Sequence, residues 1–131
     1  MADARVHQLL ASTRYVSLTT FRKDGRAVPS PLWIASSGFR LVMVTGTQTG
    51  KIKRLRREER VLVAPCTARG RAFGESVEAR GRLLDPADNA TVAMAMIAKY
   101  GWQFRAVRGI ETVLQSWGRF DGDFTAIELR L

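Results

Sequence analysis

The sequence predicts a single α+β domain in which short helices flank an antiparallel β-barrel. Six runs of alternating or β-branched residues recur at close spacing, as in small all-β barrels. The gaps between them hold either tight-turn residues or amphipathic helical stretches. The length of 131 residues, with 46% hydrophobic and 25% charged side chains, suits one buried core rather than two.

Residues 3 to 12 read as a short amphipathic opener with Val6, Leu9 and Leu10 inward. In Tyr15 to Phe21 the side chains of Val16, Leu18 and Thr20 share a face, and Lys23-Asp24-Gly25 makes a hairpin turn. Arg26 to Ala35 follows with Pro29 and Pro31 inside it. Two prolines cannot serve a central ladder, so this strand is expected to be bulged or to lack a neighbour there. Ser36-Ser37-Gly38 turns the chain into Phe39 to Thr45. A short helix follows, with Thr47 or Thr49 as cap and Ile52 and Leu55 as apolar anchors. Arg60 to Cys66 and Ser76 to Leu84 are strands four and five; in the latter Val77, Ala79, Gly81 and Leu83 alternate with charged residues. Asp85 caps a helix that starts at Pro86, carries Asp88 in its first turn and stops near Tyr100 at Gly101. Ile110, Val113, Leu114 and Trp117 have the spacing of another helix, ending at Gly118. Asp123 to Leu131 is the last strand, with Ile127, Leu129 and Leu131 on one face. No repeat, low-complexity tract or linker divides residues 1 to 131.

Composition narrows the chemistry. One cysteine excludes an internal disulfide, and Cys66 with His7 is too few ligands for a zinc cage. A Ser/His/Asp triad would have to use His7, near the chain start. Asp24, Asp85, Asp88 and Asp123 sit at turns or caps, so no carboxylate pair stands out. An enzyme built from this sequence is expected to take its chemistry from a cofactor, with no catalytic side chain assigned. The longest apolar stretch, Val92 to Ala98, is too short to span a membrane, and the start lacks a signal-peptide pattern. A cytoplasmic location is the expectation. The net charge of +9, mostly from arginine, favours anionic partners without choosing among them.

The most informative segment is TGTQTGKIKRLRREER, residues 45 to 60. Gly46 and Gly50 allow a tight turn out of a strand, and the positive end of the helix then stands beside Lys51 and Lys53. That combination suits a phosphate. The spacing is not that of a nucleotide triphosphate loop, because Ile52 follows Lys51 where a magnesium-holding hydroxyl is required. A phosphomonoester fits better; the alternative is that these cations form a solvated helix face. Pro29-Ser30-Pro31-Leu32-Trp33 and Ala64-Pro65-Cys66-Thr67 are proline-interrupted strands able to expose backbone amides to a planar heterocycle. Trp33 is equally a core residue by type, and Cys66 reads as a small buried apolar group rather than a redox thiol. His7, Tyr15, Tyr100 and Trp102 read as packing residues, with Tyr100 or Trp117 also able to reach a dimer groove.

Residues 15 to 84, through P-x-P-L-W, T-G-x-x-T-G-K-x-K-R and A-P-C-T in that order, resemble the pyridoxamine 5′-phosphate oxidase-like flavoproteins. More narrowly they are similar to the branch of deazaflavin (coenzyme F420)-dependent reductases. The resemblance implies a six-stranded antiparallel split β-barrel with short flanking helices, the FMN-binding split barrel. It further implies a homodimer with two cofactor sites between subunits. Thr49, Gly50, Lys51 and Lys53 would hold the cofactor phosphate. Pro31, Leu32 and Trp33 would line the ring, with Thr45 and Gly46 near it. Pro65, Cys66 and Thr67 would border the ring or the ribityl chain. Arg54, Arg56 and Arg57 are candidates for steering the anionic polyglutamate tail. The implied reaction passes a hydride from reduced F420 to an unsaturated or quinone-like small molecule, with a proton from solvent. FMN is the alternative cofactor. A non-catalytic flavin carrier and a basic nucleic-acid-binding barrel are the other readings; the last lacks aromatics interleaved with its basic residues.

Overall fold

Pro29 and Pro31 decide where the sheet ends. In the computed structural model, which describes residues 2–46, 49–101 and 124–131, the proline-bearing strand lies at a sheet edge. The elements run α1 (Ala2–Ser12), β1 (Tyr15–Phe21), β2 (Ala27–Leu32), β3 (Ile34–Ser37), β4 (Arg40–Gly46), α2 (Gly50–Arg57), β5 (Arg60–Cys66) and β6 (Val77–Leu83). A 3₁₀ turn (Pro86–Asp88), α3 (Asn89–Tyr100) and β7 (Phe124–Arg130) complete them. The expected helix over 110–117 lies outside the described residues.

The strands form one antiparallel sheet in the order β2-β1-β5-β6-β7-β4-β3. There are seven strands, not the six expected. The run from Arg26 to Ala35 is divided at Trp33: β2 pairs with β1, whereas β3 pairs with β4. These halves occupy opposite edges of the sheet with one residue between them. A single residue spans under about 8 Å between its neighbours' Cα atoms, so the sheet must curl until its edges nearly meet. No ladder pairs β2 with β3 among the described residues, so the chain rather than hydrogen bonds bridges the edges. The topology is split-barrel-like, without the continuous closure of a six-stranded barrel.

Inside the curl, Val16, Leu18, Ile34, Leu41, Met43, Val61, Val63 and Ile127 pack with Leu10 of α1 and Leu55 of α2. Each such aliphatic contributes about 1.5–3 kcal/mol. Gly81 faces inward at a position where a Cβ would stand 3.1 Å from Leu55 Cδ2, so a side chain there would crowd Leu55 and force it to shift by a few tenths of an ångström. A second cluster lies on the outer face, where Val92, Met96 and Tyr100 of α3 cover Ala35, Val42, Phe124 and Ala126. This cover buries β7 on both faces, rather than only through Ile127 and Leu129; Leu131, beyond the ladder, is exposed. Leu9 is also exposed, contrary to expectation. Val6 and Leu10, four apart, form the narrow inward stripe of α1, and Leu9 lies about 100° from Leu10 around the axis.

Asp85 caps as expected, its side chain accepting from Ala87 N–H at 2.9 Å, but the first turn is 3₁₀ and the α-helix begins at Asn89. Gly101 (φ 61°) ends it, its N–H bonding to Ile97 O. The Tyr100 hydroxyl then reaches the strand division. It accepts from Ile34 N–H at 2.9 Å and lies 2.8 Å from Arg14 O and 2.7 Å from Ile34 O, either of which can take its proton. Replacing Tyr100 with Phe should cost about 1–3 kcal/mol, because Ile34 N–H loses a buried acceptor. Urea unfolding with an unchanged m-value checks this; a loss within error would mean the clamp holds nothing.

Candidate functional site

β4 delivers Thr45, which is buried, and Gly46 to the start of α2. Thr49 occupies the N-cap with extended backbone (φ −79°, ψ 157°), but its hydroxyl does not cap the helix. It donates to Gly46 O at 3.0 Å and sits 3.5 Å from Thr45 Oγ1, while the Thr49 N–H also bonds to Gly46 O at 3.2 Å. The turn is therefore fastened to the end of β4. Lys51 is partly buried, and burial first, then Arg54, lowers its ammonium pKa. Lys53 is exposed.

Arg54 and Arg57 are committed to the fold. Arg54 Nε donates to Thr20 Oγ1 at 2.6 Å, and Arg57 donates to Phe21 O, so both tie α2 to the end of β1. The Arg54 guanidinium folds back over Gly50, where a Cβ would stand 2.8 Å from Nη1; Gly50 is there to admit it. Burial, then Arg22 and Arg57, depress the Arg54 pKa. Among the described residues no carboxylate pairs with Lys51, Lys53, Arg54 or Arg57. This corner holds an unbalanced positive charge at a helix N-terminus, which a dianionic phosphate would relieve.

The two proline-bearing segments flank one strand. Ser17 lies opposite both Pro31 and Ala64, Val16 opposite both Leu32 and Pro65, and Tyr15 opposite Cys66. They are thus level and about 10 Å apart. Pro31 is exposed on the edge, whereas Leu32 turns into the core. Trp33, half-buried, stacks on Tyr100 with ring centroids 4.5 Å apart and an interplanar angle of 13°. Pro65 and Cys66 are buried, and burial pushes the Cys66 thiol up, as suits an inert apolar group. Thr67 opens a tight loop, its N–H donating to Arg71 O at 2.9 Å and its hydroxyl accepting from Arg71 N–H at 3.2 Å. Gly74 approaches Pro65 so closely that a Cβ would stand 2.8 Å from Cγ.

β2 connects the cation corner to these segments. Val28 lies opposite Thr20, the residue that holds Arg54, and Pro31 is three residues further, about 10 Å along the strand. Between them the Ser30 hydroxyl is buried without a partner among the described residues. That orphan and the unpaired cations fit a ligand with a phosphate at one end and polar atoms along its length. The sequence offered no signal for Ser30 beyond its place between prolines. It also offered none for Lys99, whose ammonium donates to Thr13 O at 2.5 Å and Ile34 O at 2.6 Å. Arg14 lies over the Tyr100 ring at 5.6 Å. Trp33 is therefore held by a clamp that joins the α1–β1 connection, β3 and α3.

A curled antiparallel sheet with a cation-bearing corner at the start of α2 defines a split-barrel-like domain. The chain belongs to the pyridoxamine 5′-phosphate oxidase family, whose sequence profile matches residues 2–130. Solved structures agree on the fold. A protein of unknown function from Agrobacterium tumefaciens superposes with a TM-score of 0.66 at 14% identity, covering 99% of this chain and 54% of its own. This chain thus spans about half of that protein. An FAD-binding protein from Mesorhizobium loti superposes at 0.61 with 17% identity, over 100% of this chain and 88% of its own. The haem storage protein of Vibrio cholerae superposes at 0.66 with 12% identity, over 98% and 88%. No curated protein matches the sequence. No helix among the described residues is long and apolar enough to cross a membrane.

Lys99 makes the clamp pH-sensitive. Burial first, then Arg14, brings its pKa from 10.5 down to about 8. The unfolded chain therefore holds more protons above pH 8, and stability rises with pH there. Tyr100 opposes this only above pH 10, since burial keeps its phenol protonated to about 12. Between pH 8 and 10 the unfolding free energy should rise by about 1 kcal/mol, the full linkage value being reduced by solvent screening of this partly exposed ammonium. Lys99→Met should flatten that rise in denaturant titrations; an identical slope in the variant would assign the effect elsewhere.

Proposed function

We propose that this protein is an oxidoreductase that uses reduced coenzyme F420 to reduce an unsaturated or quinone-like small molecule. The observation that carries this reading is the cation corner, which has no carboxylate partner among the described residues, joined by β2 to the proline-bearing edge. Lys51 and Lys53 would hold the phosphate, with Thr49 and Gly50 shaping the turn around it. Pro31, Trp33, Thr45 and Gly46 would run along the ring, with Pro65 and Thr67 at its border. Leu32 and Cys66 support that surface from the core side. When bound, the coenzyme supplies the hydride; the side chains orient it and keep water from one ring face, and the proton comes from solvent. With Arg54 and Arg57 tied to β1, exposed Arg56 is left as the candidate for the anionic tail. Two copies of the chain would complete each site.

FMN is the second reading. It carries a tricyclic ring of the same outline, with nitrogen where the deazaflavin has carbon, and a ribityl phosphate, and the Mesorhizobium loti structure is of an FAD-binding protein. Titration of the apo-protein with F420 and with FMN, followed by tryptophan quenching with a Trp33→Phe control, separates them. F420 should bind more tightly, and Lys51→Ala should weaken it at least about tenfold with little change in melting temperature. Equal loss of binding and stability would make Lys51 structural. A preference for FMN would change the redox partner, and binding of neither would remove the flavin reading. Sedimentation as a monomer at micromolar concentration would remove the shared site.

A further inference from the structure

The outer face of the sheet carries a row of arginines away from the site above. Arg60 lies opposite Arg80 and Arg80 opposite Arg130. The β4–β7 register, which begins at Leu41 opposite Leu129, places Arg40 opposite Arg130 one step further out. Four arginines thus cross β5, β6, β7 and β4 on one face, over about 14 Å at the usual strand spacing. Like charges directly opposite one another destabilise a sheet.

The ends of the row are balanced and its centre is not. Arg60 stacks on Phe21 at 4.2 Å and pairs with Glu58 at 3.5 Å and Glu78 at 3.1 Å. Glu128, almost fully buried, accepts a hydrogen bond from Arg130 Nε at 3.1 Å and lies 3.9 Å from Arg40 Nε as an ion pair. Each of those guanidiniums meets the carboxylate through Nε, leaving its outer nitrogens to other acceptors. Arg80, between Arg60 and Arg130, has no carboxylate partner among the described residues.

Two adjoining cavities of about 450 and 260 Å³ share Arg130 and Leu131, one reaching Arg40 and Phe39 and the other Arg80 and Arg60. Phe39, at 101% relative exposure, is a fully solvated aromatic ring at the end of the row. His7 Nε2 lies 3.2 Å from the Phe39 carbonyl and fixes that turn to α1. Arg40 and Gly46 lie at opposite ends of β4, about 20 Å apart, so this groove is separate from the corner at α2.

We propose that the groove is a second ligand site, for a phosphorylated nucleoside. The base stacks on Phe39, and the phosphates lie across Arg40, Arg130 and Arg80. A guanidinium fork matches phosphate oxygens, and the two cavities together have the volume of a small-molecule site. The site stands independently of the F420 reading.

Calorimetric titration of the full chain at low salt with ADP, pyrophosphate and adenosine tests it. ADP should bind at least about tenfold more tightly than either fragment. Arg80→Gln and Phe39→Ser, both changes at exposed positions, should each weaken ADP about tenfold without lowering the melting temperature of the free protein, and Arg80→Gln, which removes like charge from the row, should raise it. Their affinity for F420 or FMN should match that of the parent. Absence of ADP binding at about 1 mM overturns the proposal, that being the weak end of specific recognition. Pyrophosphate binding as tightly as ADP overturns the nucleoside assignment. Loss of flavin binding in Arg80→Gln would assign the row to the cofactor site and overturn it as well.

Discussion

The passage of the chain through Trp33 is the constraint on which the rest of the structure depends. Consecutive strands at opposite edges of a seven-stranded sheet leave no geometry except a curled one. The curl creates the interior that α1 and α2 plug, and it brings β2 past the end of β4. A flat sheet with the same ladders would leave Leu32 and Ile34 without a core. Tyr100 and Lys99 hold this crossing through backbone groups of Thr13, Arg14 and Ile34, so α3 secures a point far from it in sequence.

The positive charge is divided by task. Arg54 and Arg57 spend their donors on β1 and make α2 part of the sheet's closure. Lys51 and Lys53, each one turn before one of these arginines on the same side of the helix, make no such tie among the described residues. Segregation of this kind lets one eight-residue helix serve both structure and ligand, since Gly50 lets Arg54 fold inward beneath the turn. The same arginine-rich composition appears on the outer sheet face in another form. There Glu128 and Glu78 compensate the ends of the row and leave its centre open.

Much of this was legible from local pattern. The alternation in Val77–Leu83, the anchors Ile52 and Leu55, and the cap at Asp85 depend on near neighbours, and they stand where periodicity and turn chemistry place them. The division of Arg26–Ala35 was not legible, because a strand that changes partners has no local signature beyond its prolines. The same holds for the depth of Thr45 and for the stack of Trp33 on Tyr100, which joins residues far apart in the chain. Leu9 misled because a short helix beside a curled sheet buries a narrower stripe than its apolar residues suggest. The cation corner was visible as composition; the commitment of half of it to β1 required the tertiary arrangement.

An open sheet offers its edges to other chains, and here each edge is blunted in its own way. β2 has two residues without N–H groups, Pro29 and Pro31, and the 67–71 turn lays Gly70 beside the Pro31 ring. β3 is only four residues long and is packed under α3. Neither edge can template a continuous ladder with a neighbouring molecule. The protein is therefore guarded against strand-by-strand aggregation, and any association between copies has to proceed through faces and loops rather than by extending the sheet.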